Sequence, residues 1–265
     1  MRYPAPMRLY DTHCHLQDER LAPDIGSIIG RAEAAGVIRL RCCGTVEADW
    51  ETVGQLATRF SSVRPAYGLH PWFIAGRTPA WKNLLRARLL CEPRAILGEI
   101  GLDHAVTAPE RADQAVVFLE QLQLAAELRR PVIIHCRQAW GALLDLLRGL
   151  EPLPPALVFH SYSGDAELIP LLTKLNGYFS FSGSLTRQGN RRGHAAAQQV
   201  PADRLLLESD SPDLAPRQIA PDQPNEPSFM LHTLAELAVC RGLSAEVTAA
   251  LTWNNACRIF VDPPD

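Results

Sequence analysis

Lysine, paired cysteines and long apolar runs are all scarce in this 265-residue sequence. Only Lys82 and Lys174 are present, and the net charge of -3 excludes a global basic field that would draw the chain onto nucleic acid or a membrane. The seven cysteines are scattered without a CxxC motif, which argues against a disulfide framework and for a reducing compartment. No run approaches the ~20 apolar residues that span a bilayer, and Met1–Pro6 has no apolar run. We therefore expect a cytoplasmic protein without a membrane segment or signal peptide.

A Gly-rich phosphate turn is also missing after the first predicted strand, where a doubly wound nucleotide-binding fold would place one. Apolar runs alternate with amphipathic stretches, and eight strand–helix units in about 210 residues predict an α/β protein with a parallel TIM-type (β/α)8 barrel. The predicted strands are Arg8–Thr12, Val37–Cys43, Val63–Leu69, Ala95–Glu99, Val132–His135, Ala156–His160, Gly177–Ser182 and Arg204–Glu208.

The helical stretches follow the strands and continue beyond the last of them. They are Ile25–Ala35, Trp50–Phe60, Trp81–Leu90, Ala112–Leu128, Trp140–Leu150, Ser228–Arg241 and Ala245–Phe260. The last two are extra C-terminal helices, and no linker interrupts the chain, so we expect a single domain over residues 1–265. Pro-rich Ser211–Pro227 is predicted to be a long active-site loop, because function in such barrels lies on the loops after the strands.

Side chains that can bind metals stand at the ends of several predicted strands. His13 and His15 follow the first strand, and side chains two apart share a face of a strand. The other candidates are Glu99, His135, His160 and Asp210. Each alone is more often an ordinary polar residue than a ligand, but a barrel gathers all six at one mouth. Four imidazoles and two carboxylates exceed the needs of one tetrahedral catalytic ion and suit a two-metal centre about 4 Å across.

Six motifs extend this pattern along the chain. They are Asp11-Thr-His-Cys-His15, Gly68-Leu-His-Pro-Trp72, Gly98-Glu-Ile-Gly-Leu-Asp103, Val132-Ile-Ile-His-Cys-Arg137, His160-Ser-Tyr-Ser-Gly164 and Leu207-Glu-Ser-Asp-Ser-Pro212. On these motifs the chain resembles the TatD-type metal-dependent hydrolases, deoxyribonucleases within the wider amidohydrolase group, over nearly its whole length. The resemblance implies a distorted TIM barrel with two divalent ions, whose identity could be Zn, Mg, Mn or Ni.

The resemblance also implies how the ligands divide. The two ions would be held by His13, His15 and Asp210 on one side, by His135 and His160 on the other, and by Glu99 as the bridge between them. Many amidohydrolase relatives bridge their metals with a carboxylated lysine on the fourth strand. Because Lys82 and Lys174 lie in helical stretches, Glu99 is the bridge that this sequence offers at that position.

Catalytic and substrate-binding roles are predicted for a few residues near these ligands. Asp210 is the candidate general base, since a metal-binding carboxylate can orient a water and take its proton; the alternative is a ligand role only. Together with the bridging Glu99 it is the predicted catalytic pair. His70 would, by the resemblance, contact a substrate phosphate, and its alternative is a hydrogen bond within the loop. The guanidinium of Arg137 could bind a phosphate through two parallel hydrogen bonds, or it could form an ion pair with a neighbouring acid.

The segment Thr186–His194 carries three arginines and two glycines. It is predicted to be a mobile basic loop in which Arg187 contacts a nucleic-acid backbone. The alternative is the solvated start of a helix. Trp72 could stack on a base, with core packing as its alternative, and His104 is expected to face the substrate.

Three functional hypotheses follow from these residues. The first is a metal-dependent phosphodiesterase acting on DNA, with single strands or ends as substrate, working as an exonuclease and as a monomer without an obligate protein partner. The second is a hydrolase of a small ester or amide, which the same metal centre would serve. The third is a metal-binding protein without catalysis, which is disfavoured because all six candidate ligands are present.

Overall fold

Eight parallel strands pair in sequential order in the part of the chain that this computed structural model describes, residues 7–107 and 109–261. The strands are β1 (Leu9–Cys14), β2 (Val37–Cys43), β3 (Val63–Tyr67), β4 (Ile96–Asp103), β5 (Val132–Arg137), β6 (Leu157–Phe159), β7 (Gly177–Phe181) and β8 (Leu205–Leu207). Residues 1–6, where no signal peptide is predicted, and both ends of the predicted domain lie outside the described residues.

Helices alternate with these strands. They are α1 (Ile25–Ala34), α2 (Trp50–Arg59), α3 (Trp81–Cys91), α4 (Arg111–Glu127), α5 (Trp140–Arg148), α6 (Ile169–Lys174), α7 (Arg191–Gln199), α8 (Met230–Arg241) and α9 (Ala245–Phe260). None of those in the described ranges is both long enough and apolar enough to cross a membrane. All seven cysteines lie in the described residues and are free thiols.

Backbone contacts between β1 and the chain after β8 bring the two edges of the sheet together. Asp210 N donates to His13 O at 2.9 Å, and His15 N donates to Ser211 O at 2.7 Å. The hydroxyl of Thr12 donates to Leu207 O at 3.0 Å. The sheet is therefore a nearly closed (β/α)8 barrel, which confirms the predicted fold class.

Helix α9 packs against the apolar end of the barrel interior. Ser244 caps the helix by accepting a hydrogen bond from Val247 N. Trp253 and Phe260 lie seven positions apart and so share one helix face. This face packs on inward-facing strand residues, namely Tyr10, Ile96, Ile133, Val158 and Leu206. The last helix thus covers the amino-terminal end of the barrel and leaves the opposite end open.

Three strands extend beyond their predicted ends. Strand β1 continues to Cys14, so His13, which was predicted to follow this strand, lies within it. Strand β4 continues to Asp103 and β5 to Arg137, so the predictions that Glu99 and His135 end their strands are wrong. Strands β4 and β5 stay paired beyond Glu99 and His135, with a register shift between Leu97 and Ile100. Gly101 permits the pairing, because a Cβ at this position would lie 1.9 Å from His135 O.

Two short helices were not among the predicted ones. Helix α6 has only six residues, and α7 carries Arg191, Arg192 and Gly193 in its first turn, where no apolar period is visible. Ser211–Pro227 contains no helix or strand up to a short 3-10 turn that begins at Pro227, as the loop prediction requires. Lys82 lies in α3 and Lys174 in α6, both away from strand ends.

Candidate metal centre

A first cluster of ligand atoms joins the end of β1 to the loop after β8. His13 Nε2 and His15 Nε2 lie 3.0 Å apart, as the two-residue period of a strand predicts. Asp210 Oδ1 is 3.4 Å from His13 Nε2 and 3.8 Å from His15 Nε2. Glu99 Oε2 is 3.4 Å and 3.3 Å from the same two nitrogens. These four donors, with Glu99 shared, are the first cluster.

A second cluster forms around the other oxygen of the same carboxylate. Glu99 Oε1 lies 3.0 Å from His135 Nδ1 and 2.7 Å from His160 Nε2. The two imidazole nitrogens are 3.3 Å apart. Because the two oxygens of Glu99 face different histidine pairs, this side chain stands between the two clusters.

Hydrogen bonds at the far side of the rings leave the inward-facing nitrogens free to bind a metal. His15 Nδ1 donates to Cys43 O at 2.8 Å. His135 Nε2 donates to Asp103 Oδ2 at 3.0 Å, and His160 Nδ1 faces Glu208 Oε1 at 3.6 Å. A carboxylate or carbonyl behind a histidine fixes the ring and the tautomer in protein metal sites.

The spacing of the donors fits divalent cations. Metal–ligand bonds of about 2.0–2.2 Å in a tetrahedron place the donors about 3.3–3.6 Å apart. The distances within the first cluster, 3.0 to 3.8 Å, span this range. The second cluster offers three donors, one fewer than a tetrahedral ion takes. Imidazole and carboxylate are borderline to hard donors, which suits Zn, Mn, Ni or Mg rather than Cu(I).

The pKa values of the site reflect the strong negative field of its buried carboxylates. Burial alone would lower the pKa of His15, but the hydrogen bond and charge of Glu99 outweigh it and raise this pKa to about 9. The pKa of His160 is raised in the same way by Glu99 and Glu208 despite burial. Burial raises the pKa of Asp210 to about 7. The buried carboxylates thus favour positive charge on the neighbouring imidazoles, as they would favour a bound cation.

Asp103 contributes to the site although it was not among the predicted site residues. It is fully buried, and its Oδ2 accepts hydrogen bonds from His135 Nε2 and from Trp72 Nε1, the latter at 2.7 Å. Its Oδ1 accepts from Ala105 N at 2.8 Å. The sequence did contain a signal for this role, because Asp103 is the carboxylate that ends the motif in which Glu99 lies.

Glu208 lies behind the second cluster. It accepts hydrogen bonds from Ser161 N at 2.5 Å and from the hydroxyl of Ser180. Its contacts with His160 and the two serines make Glu208 a partner of the metal-site residues.

His70 faces Glu99 but is unsuited to be a ligand. Trp72 N donates to His70 Nδ1 at 3.2 Å, so the ring proton of the neutral form resides on Nε2. This Nε2 lies 3.4 Å from Glu99 Oε1. Burial lowers the pKa of His70 to about 4. A neutral imidazole with its N–H directed into the site can donate a hydrogen bond to an anionic oxygen.

A cavity of about 720 Å³ lies above the two clusters. Its lining includes both metal-type residues and three arginines, namely Arg137, Arg187 and Arg192. Arg192 forms an ion pair with Asp165 at 3.0 Å. Among residues 7–107 and 109–261, no carboxylate pairs with the guanidinium of Arg137 or Arg187. His104, expected to face the substrate, does not line this cavity.

The basic segment contains the start of a helix, as the alternative interpretation predicts, and it borders the cavity. Arg191 and Arg192 begin helix α7, with Asn190 capping it by accepting from Gly193 N at 3.0 Å. Arg187, before the helix, lines the cavity together with Asn190 and Arg192. The segment is thus a helix start placed at the mouth of the barrel.

Comparison with known proteins agrees with this geometry. The sequence profile described as TatD related DNase matches residues 10–261. The chain belongs to this family. It is 33% identical over 263 residues to the 3'-5' ssDNA/RNA exonuclease TatD of Cronobacter sakazakii, covering 96% of this chain and 98% of that protein. It is 32% identical over 257 residues to the uncharacterized metal-dependent hydrolase YcfH of Escherichia coli K12, covering 96% of each.

A solved structure shows the same architecture. YjjV, a TatD homologue from Escherichia coli K12, superposes with a TM-score of 0.92 at 28% identity, covering 98% of this chain and 100% of that one. The predicted family is therefore confirmed. The protein is a metal-dependent hydrolase of the TatD family, with His, Glu and Asp clusters that can bind metal.

Proposed function

We propose that this TatD-family hydrolase cleaves phosphodiester bonds of DNA, acting from single-stranded ends as an exonuclease with two divalent ions. The observation that carries the proposal is a pair of ligand clusters sharing Glu99, lying beneath a cavity lined by Arg137 and Arg187. A polyanion matches guanidinium groups without carboxylate partners better than a neutral ester or amide does. The name of the Cronobacter relative supports the same substrate class.

The proposed ligand sets follow the geometry of the two clusters. His13, His15 and Asp210 would hold one ion, His135 and His160 the other, and Glu99 both. When bound, two such ions lower the pKa of a water and stabilise the charge that develops on phosphoryl oxygens. The protein would act as a single domain and a monomer.

The surrounding side chains would then position the substrate and move the proton. Asp210 would accept the proton of the attacking water through its carboxylate, as a general base. His70 would donate its Nε2 hydrogen to a non-bridging phosphate oxygen, because its Nδ1 is occupied by Trp72 N. Arg137 and Arg187 would bind flanking phosphates at the rim of the cavity.

Turnover with defined metals and substrates tests the proposal. Metal-free protein would be supplied in turn with Mg, Mn, Zn or Ni and assayed on single-stranded DNA, duplex DNA, RNA and a panel of acyl esters and amides. We expect release of nucleotides from single-stranded DNA. His135→Ala and Asp210→Asn proteins, purified in parallel, must lose this activity, or a contaminant is responsible. Release of no nucleotide with any metal, together with turnover of an ester or amide, would assign the second hypothesis instead.

A further inference from the structure

Trp72 contacts two histidines that lie near Glu99, namely His70 after β3 and His135 in β5. Its backbone N–H donates to His70 Nδ1 at 3.2 Å. Its indole N–H donates to Asp103 Oδ2 at 2.7 Å. The indole also lies edge-on to the rings of His70 and His135, with centroids 5.0 Å and 6.1 Å away. One residue therefore sets the orientation of two imidazoles.

The contact with Asp103 reaches the second cluster in one further step. The oxygen that accepts the indole N–H also accepts from His135 Nε2 at 3.0 Å. The other oxygen is held by Ala105 N, and Gln114 fixes the backbone by accepting from Asp103 N at 2.8 Å. A backbone N–H thus holds Asp103 Oδ1, and the side chains of Trp72 and His135 both donate to Asp103 Oδ2. The position of Oδ2 therefore depends on both of these side chains.

The same indole is an exposed surface of the cavity. Trp72 is 44% exposed and lines the cavity above the clusters. Aromatic side chains in such positions stack on the bases of single strands with little sequence preference. The rotamer that directs the indole N–H to Asp103 is also the one that presents the ring to the cavity, so the two roles require the same orientation.

We infer that Trp72 is a positioning residue that couples the stacking of a terminal base to metal binding by His135 and His160, acting through Asp103. A base that holds the indole in this orientation holds Asp103 and His135 in place as well, and by linkage a bound ion favours the stacked base. The positioning of His135 stands on the contacts alone. The nature of the stacked group rests on the proposed function.

Metal binding without any nucleic acid tests the positioning step. Mn²⁺ would be titrated calorimetrically into metal-free wild type, Trp72→Phe, Asp103→Asn and Phe73→Leu proteins, with His135→Ala identifying the second site. Trp72→Phe keeps the ring and removes the N–H, and we expect it to weaken the second site about 10-fold and leave the first unchanged. Asp103→Asn should do the same. Phe73, equally exposed at 44%, packs on the rings of His70 and Trp72 but does not contact Asp103, so it controls for lost ring packing. Wild-type affinity in Trp72→Phe would overturn the inference.

The coupling is tested with phosphorothioate octathymidylate and the same oligonucleotide with abasic nucleotides at both ends. Both carry equal backbone charge, so their difference isolates the terminal base. In wild type we expect the complete oligonucleotide to raise the Mn²⁺ affinity of the second site more than the abasic one, and in Trp72→Phe we expect no difference. An equal difference in both proteins would overturn the coupling. Failure of both oligonucleotides to bind wild type would overturn the coupling and the proposed substrate, while the calorimetric result without nucleic acid still decides the positioning role.

Discussion

The amino-terminal end of the barrel is filled by interlocking rings, whereas the carboxyl-terminal end carries imidazoles and carboxylates below a cavity of about 720 Å³. At the filled end, the rings of Tyr10 and Phe260 lie 5.4 Å apart and α9 covers the strands. At the open end, Glu99 and Asp210 are buried charges whose desolvation opposes folding unless cations compensate it. One set of strands thus separates a region that stabilises the fold from a region that performs chemistry.

Removing the bridge should have the largest effect, and only at the open end. In Glu99→Gln one carboxylate oxygen becomes an NH₂ group and the negative charge is lost, so only one histidine pair still faces an oxygen. We expect metal affinity to fall ~100-fold or more and turnover to fall about 10³-fold. Calorimetric metal titration and nucleotide release measure the two effects. Glu33→Gln, at an exposed position of α1, is the control. Near-normal turnover in Glu99→Gln would show that the clusters act independently.

Opening the filled end should damage stability and leave chemistry intact. Phe260 is 5% exposed and packs on Tyr10 and on the guanidinium of Arg41, 4.5 Å from its ring. Phe260→Ala should lower the free energy of unfolding by about 3–4 kcal/mol, because a cavity is left in a packed core. Urea unfolding measures this, and Val261→Ala, 83% exposed next to it, should change stability by less than about 0.5 kcal/mol. A matching loss of turnover per folded molecule would contradict the separation.

The stability of the protein should also depend on pH through the titratable groups at the open end of the barrel, and not through the filled end. In the folded protein without metal the pKa of His15 is about 9, whereas its ordinary value is 6.5. The protonated imidazole therefore stabilises the fold fully below pH 6.5, and this contribution is lost as pH rises through 9. Metal binding displaces this proton, so affinity should rise by up to about tenfold per pH unit for each proton released. The increase in Tm caused by Mn²⁺ should therefore be greater at pH 8 than at pH 6. Thermal melts at both pH values, with and without the ion, check this, and an equal increase would argue against ligation by His15.

The smallest effects are expected from single arginines at the rim. Arg137→Ala or Arg187→Ala should each lower the slope of log Kd against log salt for single-stranded DNA by about 0.7, the value of one phosphate contact. Arg148, in the last turn of α5 and therefore near the filled end, is the control. Binding isotherms at several salt concentrations measure the slopes. An unchanged slope for both rim variants would remove these arginines from the binding path.

The parts of the molecule that follow from local periodicity were predictable from the sequence. Alternating apolar runs indicate the barrel, and the two-residue period of a strand correctly brings His13 Nε2 and His15 Nε2 to 3.0 Å. Strand ends were not predictable in the same way, because β4 and β5 stop where their mutual pairing stops rather than where the apolar run ends. Helix α7 lacks an apolar period in its arginine-rich first turn.

The second layer of the site depends on contacts between distant segments. Asp103 is linked to Trp72 and His135, which are 31 and 32 residues away along the chain. No spacing rule joins three such positions. The tautomer of His70 likewise follows from a backbone N–H two residues later, which only the turn geometry reveals.

Metal stoichiometry measured together with turnover tests the central claim most directly. Metal-free protein would be titrated with Mn²⁺ while bound ion and nucleotide release from single-stranded DNA are followed in the same samples. Two ions sharing Glu99 predict that two equivalents bind per chain and that release rises mainly with the second. A bridged centre at the open end of the barrel would be contradicted by either of two results. One is the maximal rate of nucleotide release at one bound ion per chain, and the other is binding of two ions by Glu99→Gln with wild-type affinity.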